Sequence, residues 1–227
     1  VNRREFIIGL GTLTAAAAAG CSSGHSEPLG TVSLPNTGKE PQTGNKEKKN
    51  PMKILVLTGS PRMKGNSNTL ADYFIKGAQE AGHSIYRFDA AFKKVHPCRA
   101  CNRCGMDGPC IYSDDFDYVR DHLPSADCVA FVSPMYYFGF SAQLKTVIDR
   151  FYALNGQIHV PKKAVLMMTY ANTAPAEAKP ILSHYETLLN YLGWTDAGRI
   201  VAPGVWPVGA IRRTKYPDEA YALGKNL

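Results

Sequence analysis

Residues Lys53-Ile54-Leu55-Val56-Leu57-Thr58 form an unbroken apolar run, and a glycine- and polar-rich segment, Gly59 to Asn68, follows at once. An apolar run without alternation marks a strand buried on both faces. After the loop, Leu70, Tyr73, Phe74 and Ala78 form one stripe of a helix from about Ser67 to Ala81, which Gly82 ends. A strand–loop–helix unit of this kind needs further strands beside it and helices on both faces. The rest of the chain supplies them. Ile85–Phe88, Cys128–Val132 and Ala164–Thr169 read as strands, and Ile200-Val201 lies in or ends a fifth. Leu144, Val147, Ile148 and Phe151 share one helical face, as do Ile181, Tyr185, Leu188, Leu189 and Leu192, closed by Gly193. The alternation predicts an α/β fold with a doubly wound parallel sheet.

The fold begins near residue 51. Residues 1–21 open with Arg3-Arg4, continue as an apolar run from Ile7 to Gly20 and reach Cys21. That run is short of the roughly 20 residues a spanning helix needs. It reads as an export signal, and the paired arginines resemble a twin-arginine signal. An ordinary secretory signal is the alternative. Ala18-Ala19-Gly20-Cys21 resembles a lipoprotein cleavage box, which predicts an envelope or periplasmic protein whose membrane contact is a lipid on Cys21. An unmodified Cys21 is the other reading. Residues 22–50, rich in Ser, Gly, Pro, Asn and Lys, read as a flexible linker, and residues 51–227 as one domain. The net charge of +7 comes without a long Lys/Arg block, so nothing favours nucleic acid as a partner.

Two loops carry the chemistry. The first, Gly59-Ser60-Pro61-Arg62-Met63-Lys64-Gly65-Asn66-Ser67-Asn68, joins a buried strand to a helix start, where free N–H groups and the helix dipole favour an anion. Ser60, Asn66, Ser67 and Asn68 are candidate donors, and Arg62 offers a fork suited to phosphate. The pattern is neither G-x-x-x-x-G-K-[ST] nor G-x-G-x-x-G. The second loop, Ser133-Pro134-Met135-Tyr136-Tyr137-Phe138-Gly139, leaves the carboxyl end of a central strand, where open parallel sheets bind ligands. Pro134, Met135, Tyr136, Tyr137 and Phe138 suit a flat ring, and Gly139 permits close backbone approach. A packing or dimer surface is the alternative for this stretch.

The segments GSPRMKGNSNTL and SPMYYFGFSAQLKTVIDRFYAL are together similar to the NADPH-dependent FMN reductase-like branch of the flavodoxin-like flavoproteins, and EAYALGKNL resembles that branch's last helix. The resemblance covers residues 52–227. It implies a five-stranded sheet of order 2-1-3-4-5, FMN phosphate in the first loop and the isoalloxazine near residues 134–139. It also implies that residues 170–173 line the ring and that the chain forms homo-oligomers.

Between the second and third strands stand Cys98, Cys101, Cys104 and Cys110, spaced C-x2-C-x2-C-x5-C. The first three match the tight run of bacterial ferredoxins. The set resembles the compact motif of iron–sulfur flavoproteins, which implies a [4Fe–4S] cluster passing electrons to FMN. Zinc, disulfides and an empty loop remain open as readings. Cys128, in a strand, reads as a core residue. No side chain stands out as an acid–base catalyst, because His83, His96, His122, His159 and His184 are scattered. The expectation is an exported FMN-dependent oxidoreductase supplied by NAD(P)H or by a redox partner protein. An envelope-anchored electron carrier without its own small substrate is the second reading.

Overall fold

The computed structural model describes residues 50–227. The expected signal segment 1–21 and residues 22–49 of the expected linker lie outside the described residues. Five strands form one sheet: β1 (Lys53–Thr58), β2 (Ser84–Asp89), β3 (Cys128–Pro134), β4 (Lys163–Thr169) and β5 (Thr195–Ala202). Their order is β2-β1-β3-β4-β5 and every pairing is parallel. This is the doubly wound parallel sheet that the strand–helix alternation predicts, in the flavodoxin-like order that the resemblance implies.

Strand alternation splits the core in two. Ile54, Val56, Ala130, Val132, Val165 and Met167 face α1 (Asn66–Glu80) and the C-terminal helix α6 (Tyr216–Lys225). Leu55, Leu57, Val129, Phe131, Leu166 and Met168 face α2 (Phe116–His122), α3 (Ala142–Asp149), α4 (Asn155–Ile158) and α5 (Lys179–Leu192). Phe74 of α1 is fully buried, and a phenylalanine so placed contributes about 1.5–3 kcal/mol. At the crossing of α1 and α6 the backbones meet. A Cβ added to Gly77 would overlap the Tyr221 carbonyl, and one added to Gly224 would overlap the Phe74 carbonyl.

Two differences from the sequence expectation follow from burial. Helix α2 is short and buries only Phe116 and Val119, too few to show a period. Strand β5 begins at Thr195, but its first five residues are exposed or half-buried at the sheet edge, so only its end reads as apolar. The strand order reverses between β1 and β3, and the crevice at their carboxyl ends is the place such sheets offer a ligand.

Candidate functional site

Both candidate loops leave that crevice. Gly59 N–H donates to Val132 C=O at 2.8 Å, so the first loop departs beside β3. The second loop returns through Ser141, whose hydroxyl donates to Gly59 C=O at 2.7 Å. A Cβ on Gly59 would overlap that hydroxyl. The two loops are therefore clasped at their bases.

Within the first loop most candidate side chains turn inward. Ser60 Oγ accepts from Arg62 N–H at 3.3 Å and donates to Arg62 C=O at 3.2 Å. Asn66 Nδ2 donates to Val205 C=O and Pro207 C=O at 2.7 and 2.9 Å, tying the loop to the segment after β5. Ser67 Oγ pairs with Thr169 Oγ1 at 2.7 Å in the core. Asn68 Nδ2 spans Arg62 and Met63 carbonyls at 3.1 and 3.2 Å, while its buried Oδ1 has no partner. These groups shape the loop. Arg62 is left exposed, and no side chain caps the buried start of α1. The first N–H groups of a helix have no partners inside it. Gly65 lets the loop close over them, since a Cβ there would lie 2.8 Å from Arg62 C=O and 2.9 Å from Ser60 Oγ. The cradle fits a phosphate monoester through backbone N–H groups and one guanidinium.

The second loop is a tight turn. Tyr136 and Gly139 exchange backbone hydrogen bonds at 3.2 and 3.1 Å, and the two residues between them, Tyr137 and Phe138, have φ of +46° and +64°. Consecutive positive φ values characterise turns that normally use Asn and Gly, so two aromatics here carry strain. The turn holds Tyr137 almost wholly in solvent, at 99% exposure. Met135, Tyr137 and Phe138 face Tyr170, Ala171, Asn172 and Glu177 across an open cleft of ≈ 220 Å³. Pro134 closes β3, and Met135 N–H donates to Thr169 C=O at 2.9 Å, holding the two walls together. The apolar, aromatic walls fit a planar ring system. Residues 170–172, expected near the ring, line this cleft.

The cysteines lie in the connection from β2 to α2, of which residues 93–115 have no regular secondary structure. Connections that long inside a compact domain usually serve a site. Its base is clasped: Lys94 N–H and His96 N–H donate to the Asp115 and Asp114 carboxylates at 2.7 and 2.9 Å. Cys98, Cys101, Cys104 and Cys110 all line one pocket with Arg99, Tyr112, Arg150 and Tyr152. Ala100 and Asn102 on either side of Cys101, and Gly105 and Met106 after Cys104, have positive φ. That backbone turns sharply on both sides of Cys101 and after Cys104, at the cost of strain. All four thiols are unpaired. No group of three cysteine, histidine or carboxylate residues among the described residues is close enough to share one metal ion. A single zinc needs four ligands each about 2.3 Å away. A four-iron core takes one thiolate at each corner, and the donor set fits it in kind: four cysteines line one narrow pocket of ≈ 20 Å³. Cys98 and Cys101 are exposed and border solvent there.

Sequence reasoning missed Arg150. It lies just past α3, 1% exposed, with Nη1 donating to His96 C=O at 2.9 Å and Asp114 Oδ2 at 3.0 Å. Its guanidinium covers the Phe116 and Tyr112 rings. Burial pushes the Asp114 carboxyl up, but the His96 N–H, Arg150 and the His96 ring together hold it below the usual carboxylate value. Nothing in the helical stripe of Leu144, Val147, Ile148 and Phe151 signals a buried cation at position 150. Cys128 is the inert thiol expected, fully buried and pushed up to about 12 by desolvation.

A family model described as NADPH-dependent FMN reductase matches residues 52–204. An iron–sulfur flavoprotein of Archaeoglobus fulgidus is 29% identical over 160 residues, which is 69% of this chain and 70% of that one. An iron–sulfur flavoprotein of Methanocaldococcus jannaschii is 36% identical over 99 residues, 44% of this chain and 51% of that one, so the match spans about half of that relative's length. An NAD(P)H:quinone oxidoreductase from Methanothermobacter marburgensis superimposes with a TM-score of 0.64 at 20% identity, covering 78% of this chain and 96% of that one, a likeness of fold.

Proposed function

Since the chain belongs to the NADPH-dependent FMN reductase family and is a flavin-dependent reductase of that family, we propose that its FMN lies across the two clasped loops and that the four-cysteine pocket holds a [4Fe–4S] cluster. The observation that carries this reading is the Ser141–Gly59 clasp, which sets an uncapped helix start beside an aromatic cleft at the switch point of the sheet. When bound, FMN supplies exchange between hydride and single-electron chemistry, and the cluster supplies single-electron chemistry.

The chain's own residues do the rest. The N–H groups at the start of α1 and the Arg62 guanidinium bind the phosphate, while Ser60, Asn66, Ser67 and Asn68 hold the loop in shape. Met135, Tyr137, Phe138 and Tyr170 cover the ring, and Tyr136 and Gly139 lock the turn that presents it. Pro134 and Thr169 end the strands beneath. Cys98, Cys101, Cys104 and Cys110 are the cluster ligands. NAD(P)H or a redox partner protein is the donor, and a second copy of the chain covers the exposed aromatic turn. Export rests on Arg3-Arg4 and the apolar run after them, and a lipid on Cys21 would be the membrane contact. Replacing both arginines by lysine is expected to retain the protein in the cytoplasm.

The test is anaerobic purification followed by flavin and iron analysis and addition of NADPH or NADH. One FMN and about four irons per chain, with bleaching of the flavin band on addition of nicotinamide, are expected. Colourless protein that takes up no added FMN contradicts the flavin assignment. FMN with stoichiometric zinc or no metal contradicts the cluster alone. FMN and iron without any nicotinamide oxidation favour the electron-carrier reading.

A further inference from the structure

Arg150 carries more hydrogen-bonding capacity than the protein around it uses. Its side chain is 1% exposed, and Nη1 alone makes its two contacts, to Asp114 Oδ2 and His96 C=O. Nε and Nη2 are both buried with no acceptor. A buried N–H without a partner is costly, and more so on a charged group, so two on one guanidinium call for an acceptor. The same residue lines the pocket formed by Cys98, Cys101, Cys104 and Cys110. No other cation in that pocket is buried, since Arg99 is exposed.

The local charges are arranged to fix the guanidinium. Asp114, 4% exposed, also accepts from His96 N–H at 2.9 Å and lies 3.1 Å from His96 Nδ1. The Phe116 ring covers the guanidinium face, with the carbon of the fork 4.7 Å from the ring centre, and Tyr112 lies at 5.4 Å. One edge of the fork is thus tethered, the face is covered by aromatics, and the remaining N–H groups stay free. Lysine, a point charge on a flexible stem, reproduces the charge but not this rigid fork.

We propose that Arg150 is a positioning residue that donates from Nε and Nη2 to sulfur atoms of the four-cysteine centre and raises its reduction potential. This rests on the cluster reading above. Thiolate ligation makes such a centre anionic, and adding an electron makes it more so. A fixed, buried cation with hydrogen bonds to sulfur stabilises the reduced form preferentially.

The test uses full-length protein reconstituted anaerobically with iron and sulfide. Wild type, Arg150→Lys and the double variant Arg150→Met with Asp114→Asn are compared, the second substitution preventing a buried unpaired carboxylate. Iron per chain is measured first, then the midpoint potential by redox titration followed by electron paramagnetic resonance. All three proteins are expected to hold about four irons. The reduction equilibrium of the double variant should be at least tenfold less favourable, a fall of about 59 mV for one electron, with Arg150→Lys between it and wild type. Equal potentials in fully loaded proteins would overturn the proposal and leave Arg150 as a structural ion pair. Loss of iron from the double variant alone leaves the decision to Arg150→Lys, where an unchanged potential is again the negative result. Wild type that takes up no iron removes the cluster reading itself, and the proposal with it.

Discussion

Ser141 Oγ donates to the carbonyl oxygen of Gly59 at 2.7 Å and also accepts from Leu144 N–H at 3.4 Å. One hydroxyl therefore caps α3 and fixes the spacing between the two loops. Ser141→Ala removes a helix cap and leaves a buried carbonyl unpaired. The expected loss is about 2–3 kcal/mol in urea unfolding, accompanied by weaker FMN binding. Weaker FMN binding without loss of stability would mean that the clasp is not structural.

The turn at Tyr137 and Phe138 trades stability for an aromatic wall. Phe138→Gly removes the positive-φ strain, worth on the order of 1 kcal/mol or more, and deletes one face of the cleft. Thermal unfolding without flavin should rise and FMN affinity should fall. Parallel loss of both would show that the left-handed conformation is not strained in this chain.

Gly77 reverses a general rule. In a helix interior, Gly→Ala normally stabilises by roughly 1 kcal/mol. Here the added methyl would overlap the Tyr221 carbonyl of α6, and backbone cannot move aside as a side chain can. Gly77→Ala should destabilise by about 1–3 kcal/mol or more, read as a lower urea midpoint. A stabilised variant would contradict the contact between α1 and α6.

Asp114 gives the site an acid limit. Its carboxyl is held below its usual value in the folded state, so its contribution is present above the unfolded value of about 3.9 and is lost as pH falls through the lower folded value. The stability difference between wild type and Asp114→Asn should shrink as pH falls below about 4. A difference that grows there would reverse the sign of the argument.

The sheet was legible because its three central strands, β1, β3 and β4, are apolar runs, and the two candidate loops because they follow strand ends. What the first loop does with its side chains was not legible. Ser67 meets Thr169, and Asn66 meets Val205, across separations of 102 and 139 residues that no local pattern reports. Asn66, Ser67 and Asn68, expected as phosphate donors, each also make hydrogen bonds within the protein that brace the loop. The cysteine spacing pointed to one compact centre, and all four cysteines line one pocket. The buried Arg150 beside them lies past α3, outside the apolar stripe of Leu144, Val147, Ile148 and Phe151, and no local pattern marks it.

The assignment of FMN phosphate to the first loop is tested most directly by titrating flavin-free protein with FMN and with riboflavin, following flavin fluorescence. Arg62→Ala is compared with wild type. Charge-assisted hydrogen bonds contribute about 1.5–3 kcal/mol, so the FMN dissociation constant should rise roughly 10- to 100-fold in the variant. Riboflavin, which lacks the phosphate, should bind both proteins alike and more weakly than FMN binds wild type. An FMN dissociation constant unchanged by Arg62→Ala, with FMN and riboflavin bound equally by wild type, would contradict the account.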